Sequence, residues 1–398
     1  MVLTGGMANE AERRGGTTVA LLEAAAAELI DVGQADFSME SVGRRAFFSV
    51  GAVYSRWPDR GACIADVAGS VALDRLAAHI ATCKGVDDVA RLIVANPDRI
   101  FTLIGECILA AQTMPEVVVP ARRLLTELRE SLRTWMGPGM AWYCSTVAIG
   151  GALLDLMDVA RPNIRAAPLF VDACEAERHR TSAGGETGIV LGPIDIPNVP
   201  LPSRSDPVAT SLIDAARVVL AERGASAAGA RDIASAAGVT TGALYRRYEG
   251  KSRLLADVLV TELEPDRYSW TWDLISAFAK DDPYTEAADV LAERIVESSR
   301  DRSGQQVLLQ IGVAARNDPT LRAQVNQRIS VAVDARRDMV EHFMKVGLLR
   351  GDMDPFVVAW GFQALPIGMR AVLPMIDSLD TDEVRDSMRA VLVALSPR

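Results

Sequence analysis

The sequence predicts an all-α protein in which one helical unit occurs twice. Its 398 residues are enough for two to three domains. A stretch of about fifty residues near the N-terminus matches another just past the middle. Behind each copy, apolar residues recur at helical spacing for more than about a hundred residues. These observations favour two tandem helical units.

The repeat is clearest around two tyrosines. Gly51-Ala-Val-Tyr-Ser-Arg-Trp57 aligns with Gly242-Ala-Leu-Tyr-Arg-Arg-Tyr248, so that Tyr54 is paired with Tyr245. The same offset pairs Gly33 with Gly224. It is far longer than the period of a solenoid, which is about 20–50 residues. The repeat therefore indicates tandem domains.

Each copy is predicted to begin with three helices. In the second copy, apolar residues recur at helical spacing up to Leu220, and Gly224 ends that helix. A second helix is expected over Ala230 to Ala237, and Gly238 makes a tight turn because glycine adopts a positive φ without penalty. Thr240 or Thr241 caps a third helix, from Gly242 to Tyr248. Two short helices joined in this way form a helix-turn-helix, whose second helix enters the major groove of DNA.

The second copy resembles a known family. Ala237-Gly-Val-Thr-Thr-Gly-Ala-Leu-Tyr-Arg-Arg-Tyr-Glu-Gly-Lys251, followed by Leu254-Leu255, is similar to the DNA-binding domain of the TetR (tetracycline-repressor-like) transcription regulators. The resemblance covers residues 209–260 strongly and residues 18–67 more weakly. It implies that each unit is a helix-turn-helix head followed by a helical body that binds a ligand and dimerises. The implied function is that of a ligand-responsive repressor.

The resemblance also implies which residues contact DNA. Tyr245, Arg247 and Lys251 would contact phosphates, while Tyr248 would lie in the core. The groove-facing start of the recognition helix would comprise Thr240, Thr241 and Gly242. The full set of predicted DNA-binding residues is Thr240, Thr241, Gly242, Tyr245, Arg246, Arg247 and Lys251 in the second copy, with Ser49, Tyr54, Arg56 and Arg60 in the first. Basic residues outnumber acidic ones around this motif, although the whole chain has a net charge of −10.

The first copy departs from the pattern at its turn. Phe47 stands where the second copy has Gly238. A bulky residue at positive φ costs about 1–2 kcal/mol, unless the turn takes another shape. Two interpretations stay open. Either this copy still binds DNA and reads a different half-site, or it does not function and the protein is a ligand-sensing or protein-binding scaffold with little specific DNA binding.

The predicted organisation has five parts. These are a first head (17–67), a first helical body (68–182), a Pro/Gly-rich linker (183–206), a second head (207–260) and a second body (261–398). Regulators of the resembled family typically work as homodimers that are joined through the last helices of their bodies. Two copies in one chain therefore suggest a fused dimer that binds an asymmetric, pseudo-palindromic operator in double-stranded DNA. Further self-association is left open.

The fused dimer implies a particular helix packing. Helices around Met140 to Val159 and Pro168 to Arg180 would pack on helices Pro355 to Met375 and Thr381 to Leu395. Small residues let two helix backbones approach, and the glycines expected to do so here are Gly150, Gly151 and Gly361. The result would be an intramolecular pseudo-dimer.

The second body carries the large apolar residues expected around an effector. A small apolar or amphipathic molecule is predicted to bind between its helices. The candidate lining residues are Trp270, Trp272, Phe278, Leu309, Phe343, Trp360 and Phe362. The alternative for each of them is ordinary core packing.

Other classes of protein find little support. The sequence has no nucleophile elbow, phosphate-binding loop or dinucleotide-binding motif, so no enzyme, cofactor or metal is predicted. His79 and Cys83 have a metal-compatible spacing, but two ligands do not make a zinc site. Five cysteines without close pairs suit a reducing cytoplasm. The longest uncharged run, Gly137 to Leu154, is the one expected place for a membrane span, and its glycines favour a buried packing helix instead.

Overall fold

The computed structural model describes residues 4–160, 206–263, 269–300, 302–376 and 379–397. Within these ranges all regular secondary structure is helical, which confirms the predicted all-α class. The chain forms two compact units. One comprises Met1–Thr82 and Pro97–Leu128, and the other comprises Cys83–Asn96 and Arg129–Arg398.

The helices before residue 161 are numbered in chain order. They are α1 (Thr4–Asp36), α2 (Met39–Arg45), α3 (Val50–Tyr54), α4 (Arg60–Gly69), α5 (Val71–Thr82), α6 (Val86–Ala95), α7 (Ile100–Ala111), α8 (Pro115–Met136) and α9 (Pro138–Asp155). A short 3-10 helix, Pro97–Arg99, precedes α7. Helix α7 is buried along its whole length.

The helices after residue 205 continue the numbering. They are α10 (Pro207–Ala227), α11 (Ala230–Ala236), α12 (Thr241–Tyr245), α13 (Lys251–Leu263), α14 (Ser269–Phe278), α15 (Pro283–Arg300), α16 (Arg302–Arg316), α17 (Pro319–Lys345), α18 (Pro355–Val372) and α19 (Thr381–Leu395). A 3-10 turn, Leu373–Met375, extends α18. The last helix begins and ends at the predicted residues.

Helix starts in this chain follow from capping side chains. Asp318 caps α17 by accepting a hydrogen bond from the backbone N–H of Leu321 at 2.9 Å. Asp354 and Asp380 cap α18 and α19 in the same way. Such caps satisfy N–H groups that have no partner inside the helix. The starts predicted for two helices of the second body, Pro355 and Thr381, are the observed ones.

One predicted helix is wrong at its end. The third helix of the second head was expected from Gly242 to Tyr248, but α12 stops at Tyr245. The N–H of Arg247 then bonds to the carbonyl of Leu244 at 3.0 Å, a three-residue spacing that tightens the last turn. Tyr248 is buried, as predicted. The predicted helix Pro168 to Arg180 and the linker 183–205 lie outside the described residues.

Helix α9 packs against α18 and α19, as predicted. The backbones of α9 and α18 come close at two glycines. A Cβ atom on Gly150 would lie 1.9 Å from the carbonyl oxygen of Ala364, and a Cβ on Gly368 would lie 1.9 Å from that of Thr146. At these two positions only glycine has room. Gly151 and Gly361 also lie at close approaches, to Trp360 and Tyr143 respectively.

The α9–α18 contact is reciprocal. Gly150 meets the residue four before Gly368, and Gly368 meets the residue four before Gly150. The two helices also share a sequence pattern, in which Ala-Trp is followed at the same spacing by Ile-Gly, at 141–150 and again at 359–368. A contact that each partner makes in the same way is isologous, the kind that two-fold-related helices form.

The expected location of the most membrane-like segment is wrong. Among the described residues, the helix long and apolar enough to cross a membrane is Pro355–Met375, and not the run from Gly137 to Leu154. Within its apolar stretch, 72% of the segment is buried by the rest of the protein. The core helix of a globular domain has this character.

Candidate nucleic-acid interface

The two heads have the same helices at the same spacing. Helices α2 and α11 start at Met39 and Ala230, and this shift along the chain equals the one from Tyr54 to Tyr245. Their last residues are related by the same shift, as are both ends of α3 and α12. The first helix of each head is interrupted by a glycine at positive φ, Gly33 and Gly224. The constant offset of the sequence repeat therefore also relates the helices of the first head to those of the second.

The turn of the helix-turn-helix is the same in both heads. Phe47 has φ 59° and Gly238 has φ 67°. In the first head the N–H of Phe48 donates to the carbonyl of Gly43 at 2.8 Å, and in the second the N–H of Val239 donates to that of Ala234 at 2.9 Å. This six-to-one bond marks a Schellman motif, which places one left-handed residue after a helix. Of the two alternatives for Phe47, the structure has the strained one.

The recognition helices α3 and α12 begin at equivalent caps. The Ser49 hydroxyl accepts a hydrogen bond from the N–H of Ala52, and the Thr240 hydroxyl accepts one from the N–H of Ala243, both at 3.2 Å. Ser49, Thr240 and Gly242 are exposed, and Thr241 is half-buried. These predicted residues therefore share one surface at the start of each recognition helix.

The two tyrosines of the repeat are exposed to nearly the same extent. Tyr54 is 54% exposed and Tyr245 is 56% exposed. Each is the last residue of its recognition helix. A hydrophobic ring left this open in both copies has a free face and a free hydroxyl, which suits contact with a sugar-phosphate backbone.

The predicted arginines behind the tyrosines are held by the first helix of their head. In the second head, Arg247 Nε donates to Asp206, the N-cap of α10, at 2.5 Å. In the first, Arg56 Nε donates to the Thr18 hydroxyl at 2.9 Å. The Arg247 hydrogen bond lowers the pKa of the Asp206 carboxyl. Both guanidinium groups are thus positioned without DNA.

The two residues at the start of the following helix differ. Arg60 is exposed, whereas Lys251 is half-buried and its Nζ donates to the carbonyl of Ala225 at 3.1 Å. Burial lowers the pKa of the Lys251 ammonium. In the free protein this ammonium therefore hydrogen-bonds a backbone carbonyl near the C-terminal end of α10. The phosphate contact of Lys251 stays a prediction.

A link between head and body was missed from the sequence. The N–H of Gln34, after the first head's glycine kink, donates to the buried Glu106 carboxylate of α7 at 2.7 Å. The N–H of Ala225, at the equivalent place, donates to the buried Gln310 side chain of α16 at 2.8 Å. Glu106 and Gln310 are related by the same shift along the chain that relates Pro115 to Pro319. Aligning Ala110-Ala-Gln-Thr-Met-Pro115 with Ala314-Ala-Arg-Asn-Asp-Pro319 and extending the match back by four residues would have paired them.

The predicted effector-binding residues are mostly core residues of the second unit. Phe278 packs edge-on against Phe343 and Tyr284, with ring centroids 5.5 Å and 6.0 Å apart. Trp360 lies against Gly151, and Leu309 is buried. Phe362 is half-buried. The side chains of Trp270 and Trp272 lie outside the described ones, so a cavity lined by this set stays a prediction.

The metal interpretation gains nothing from the structure. Across the residues that the structure describes, no group of three or more His, Cys, Asp and Glu side chains could hold a metal ion. His79 lies 3.4 Å from the Asp98 carboxylate, an interaction within the first unit.

Comparisons with known proteins agree with the assignment of the second head. The family model for bacterial regulatory proteins of the tetR family matches residues 212–258. No curated protein sequence matches the chain.

Solved structures give weaker likenesses. One, described as a TetR-family transcriptional regulator from Rhodococcus sp., is 17% identical with a TM-score of 0.39, over 48% of this chain and 99% of that one. SmeT, the repressor of the Stenotrophomonas maltophilia multidrug efflux pump SmeDEF, is 23% identical with a TM-score of 0.34, over 46% of this chain and 86% of that one. NalD, the secondary repressor of the MexAB-OprM multidrug efflux pump in Pseudomonas aeruginosa, is 19% identical with a TM-score of 0.36, over 47% of this chain and 94% of that one.

Likenesses at these TM-scores add nothing to the assignment, which depends on the family model and on the helix-turn-helix geometry. Both concern the same segment, from α10 to α13. Residues 212–258 therefore form a helix-turn-helix whose sequence matches the DNA-binding domain of the tetR family.

Proposed function

We propose that the chain is a DNA-binding transcriptional regulator, most simply a ligand-responsive repressor. It binds one operator with both of its heads. The observation that carries this proposal is the local identity of the two heads. The two helices of the helix-turn-helix have the same bounds in both heads, and the recognition-helix caps, the left-handed turns and the exposed tyrosines coincide, all at one constant offset along the chain. Because residues 212–258 match the TetR-type domain, the equivalent surface of the first head is a candidate for the same role.

The proposal includes an intramolecular pseudo-dimer. Support comes from the reciprocal contact between α9 and α18, where Gly150 and Gly368 each admit the partner backbone. Further contacts hold the last helix, α19, against the helices of the first half: Arg129 of α8 forms an ion pair with Glu383 at 2.5 Å, and the Ser387 hydroxyl donates to the carbonyl of Gly139 in α9 at 2.6 Å. A homodimer would make such contacts between chains, and here they lie within one.

The heads are not expected to contribute equally to affinity. From 207 to 260 the chain has seven basic and five acidic residues, whereas from 17 to 67 it has four basic and seven acidic ones. Phosphate contacts provide most of the sequence-independent affinity for DNA. The second head therefore supplies most of the binding energy, and the first selects the orientation of an asymmetric site.

The same charge difference favours a second candidate function. An acidic first head with an exposed Phe47 would also suit a protein-binding or ligand-sensing scaffold that uses DNA little or not at all. In either case the effector is proposed to be a small apolar or amphipathic molecule that binds the second body. It would act through a different affinity for the DNA-bound and free arrangements of the heads.

Selection of bound duplexes from a genomic fragment pool tests the function. The intact chain should enrich a site with two unlike half-sites about one helical turn apart. Tyr245→Ala should weaken contacts in one half-site and Tyr54→Ala in the other, with the larger loss for Tyr245→Ala. Arg337→Ala on α17, which removes a partly exposed arginine outside both heads, is the matched control and should bind as the parent does.

The outcomes separate the two candidates. A site sensitive only to Tyr245→Ala would mean that the first head is a scaffold. Failure to enrich any site would reject the DNA-binding function and leave the scaffold.

A further inference from the structure

The surfaces that the two recognition helices present differ in chemistry at two positions. At the first residue of each helix, Val50 in the first head replaces Thr241 in the second. Just after each tyrosine, Ser55 replaces Arg246. The caps and tyrosines of the two recognition helices are otherwise equivalent, so these two exchanges distinguish one recognition helix from the other.

The first head offers an apolar surface. Val50 is 43% exposed and lies one helical turn before Tyr54, hence on the same face of α3. Phe47 and Phe48, in the turn that leads into this helix, are 97% and 37% exposed. We call Phe47, Phe48 and Val50 the apolar edge of the first head. At the same places the second head has Gly238, Val239 and Thr241.

The conformation of Phe47 is a second observation that points to use of this edge. The residue is held in the left-handed region, where a bulky side chain costs free energy, yet its ring has almost no contact with the protein. A strained residue that contributes no packing is retained most readily where its side chain meets a ligand. Its position, two residues before the cap of the recognition helix, makes DNA the nearest ligand.

The second head offers a guanidinium group instead. Arg246 is exposed, and its Nη1 lies 4.0 Å from the position that a Cβ on Gly242 would take. The guanidinium therefore lies beside the open start of α12. In the first head the Ser55 hydroxyl donates to the carbonyl of Ala52 at 2.8 Å and is turned toward its own helix.

We propose that the first head reads thymine through its 5-methyl group, by contact with the apolar edge, and that the second head reads guanine through Arg246. This inference rests on the proposed function. In the major groove thymine is the base that carries a methyl group, which apolar side chains contact, while guanine presents two acceptors that match a guanidinium. The two half-sites then differ in the feature of the base that is recognised, which is a methyl group in one and a pair of hydrogen-bond acceptors in the other.

Replacement of single bases tests the proposal without changing the protein. Duplexes carrying the selected site are made with uracil for thymine, which removes only the methyl group, or with 7-deazaguanine for guanine, which removes the N7 acceptor. We expect uracil in the first head's half-site to weaken binding of the full chain about fourfold per contacted methyl. We expect 7-deazaguanine to weaken binding at least about fivefold in the second half-site, and uracil there to have no effect.

Variants of exposed residues assign these effects to side chains. Val50→Thr keeps the shape of the side chain but exchanges one of its two methyl groups for a hydroxyl, so it should reduce the uracil effect. Phe47→Asn removes the ring and introduces a residue that tolerates the left-handed turn, so it should reduce the uracil effect. Arg246→Ala should remove the 7-deazaguanine effect and leave the uracil effect intact. Thr241→Val is the matched control, because it makes the reverse exchange at the equivalent position of the other head and should not alter the uracil effect in the first half-site.

The result that would overturn the inference is distinct from failure of the function. If a site is enriched but uracil has no effect, or has the same effect with Val50→Thr as with the parent, the thymine reading is wrong although DNA binding stands. If no duplex is enriched, the proposed function itself fails.

Discussion

At the scale of single residues, position 47 shows how backbone and side chain can be under separate constraints. Its hydrogen bonds and φ are those of Gly238 in the other head, yet it carries a phenylalanine. The Schellman motif fixes a left-handed residue after α2, and nothing in the described part of the protein packs closely on the ring, which is 97% exposed. The cost of the side chain is therefore local.

Phe47→Gly should stabilise the protein. The variant relieves the left-handed penalty and removes no buried contact, so the free energy of unfolding of the first unit should rise by about 0.5–1 kcal/mol after the entropy of the added glycine is subtracted. Chemical denaturation measures it. The converse variant Gly238→Ala has open space for its Cβ, so it should cost about 1 kcal/mol from the backbone alone. A loss of stability in Phe47→Gly would show that the ring is packed.

The sequence was most informative at this scale where backbone chemistry is specific. Glycine at 238 predicted the turn, and the threonine before the second recognition helix predicted the cap that is observed. It was less informative about long side chains. Lys251 follows the family pattern for a phosphate contact, but its partner Ala225 is brought within reach only by the tertiary fold.

At the scale of elements, the contact between α9 and α18 is the best-defined helix pairing of the second unit. A carbonyl oxygen of one helix can contact a Cα atom of its partner only where that partner residue is a glycine. Gly150 and Gly368 supply this on the two sides. The loss of either should separate the helices.

Gly150→Ala should destabilise the second unit. Its Cβ would lie 1.9 Å from the Ala364 oxygen, so the helices must move apart at a cost of about 2–3 kcal/mol. Thermal or denaturant unfolding measures the change. Gly312→Ala is the control within a helix of the same unit, because its Cβ would sit 3.6 Å from Met157 Sδ, an ordinary contact, and should raise stability by up to about 1 kcal/mol. Equal effects of the two variants would contradict the close packing.

Helix packing was predictable from glycine position, but its symmetry was not. Gly150 was predicted to allow close approach, whereas the pairing with Gly368 was missed because the offset between the halves is larger here than it is between the heads. A gap-free comparison loses such a match. Residue size and spacing identify a packing helix, and only the contacts identify its partner residue.

At the scale of the whole molecule, the two halves differ in their polar core. Glu106 of the first half is matched by Gln310 in the second, so one head is joined to its body by a carboxylate and the other by an amide. The hydrogen-bond geometry of the joint is the same in both halves, while the chemical group that accepts the bond is not. A signal generated in one body therefore need not affect both heads equally.

A ligand screen tests where that signal begins. A panel of apolar and amphipathic aromatic compounds should include some that raise the midpoint of thermal unfolding, because a ligand that binds only the folded state stabilises it by mass action. Phe343→Leu, which keeps an apolar residue and opens the aromatic cluster, should reduce the shift. Absence of any stabilising compound would argue against an effector site of this chemistry. Composition alone could not locate the site, since large apolar residues that line a cavity and those that fill a core have the same sequence pattern.

Because α9 and α18 belong to one chain, the proposed regulator would also respond differently to its own abundance than a dimer of separate subunits does. A contact formed within one chain has a fixed effective concentration, whatever the number of molecules in the cell. A regulator assembled from separate subunits falls apart on dilution, and occupancy of its site then rises with the square of subunit concentration. If this chain acts as the proposed pseudo-dimer, occupancy of its site should rise in simple proportion to its concentration.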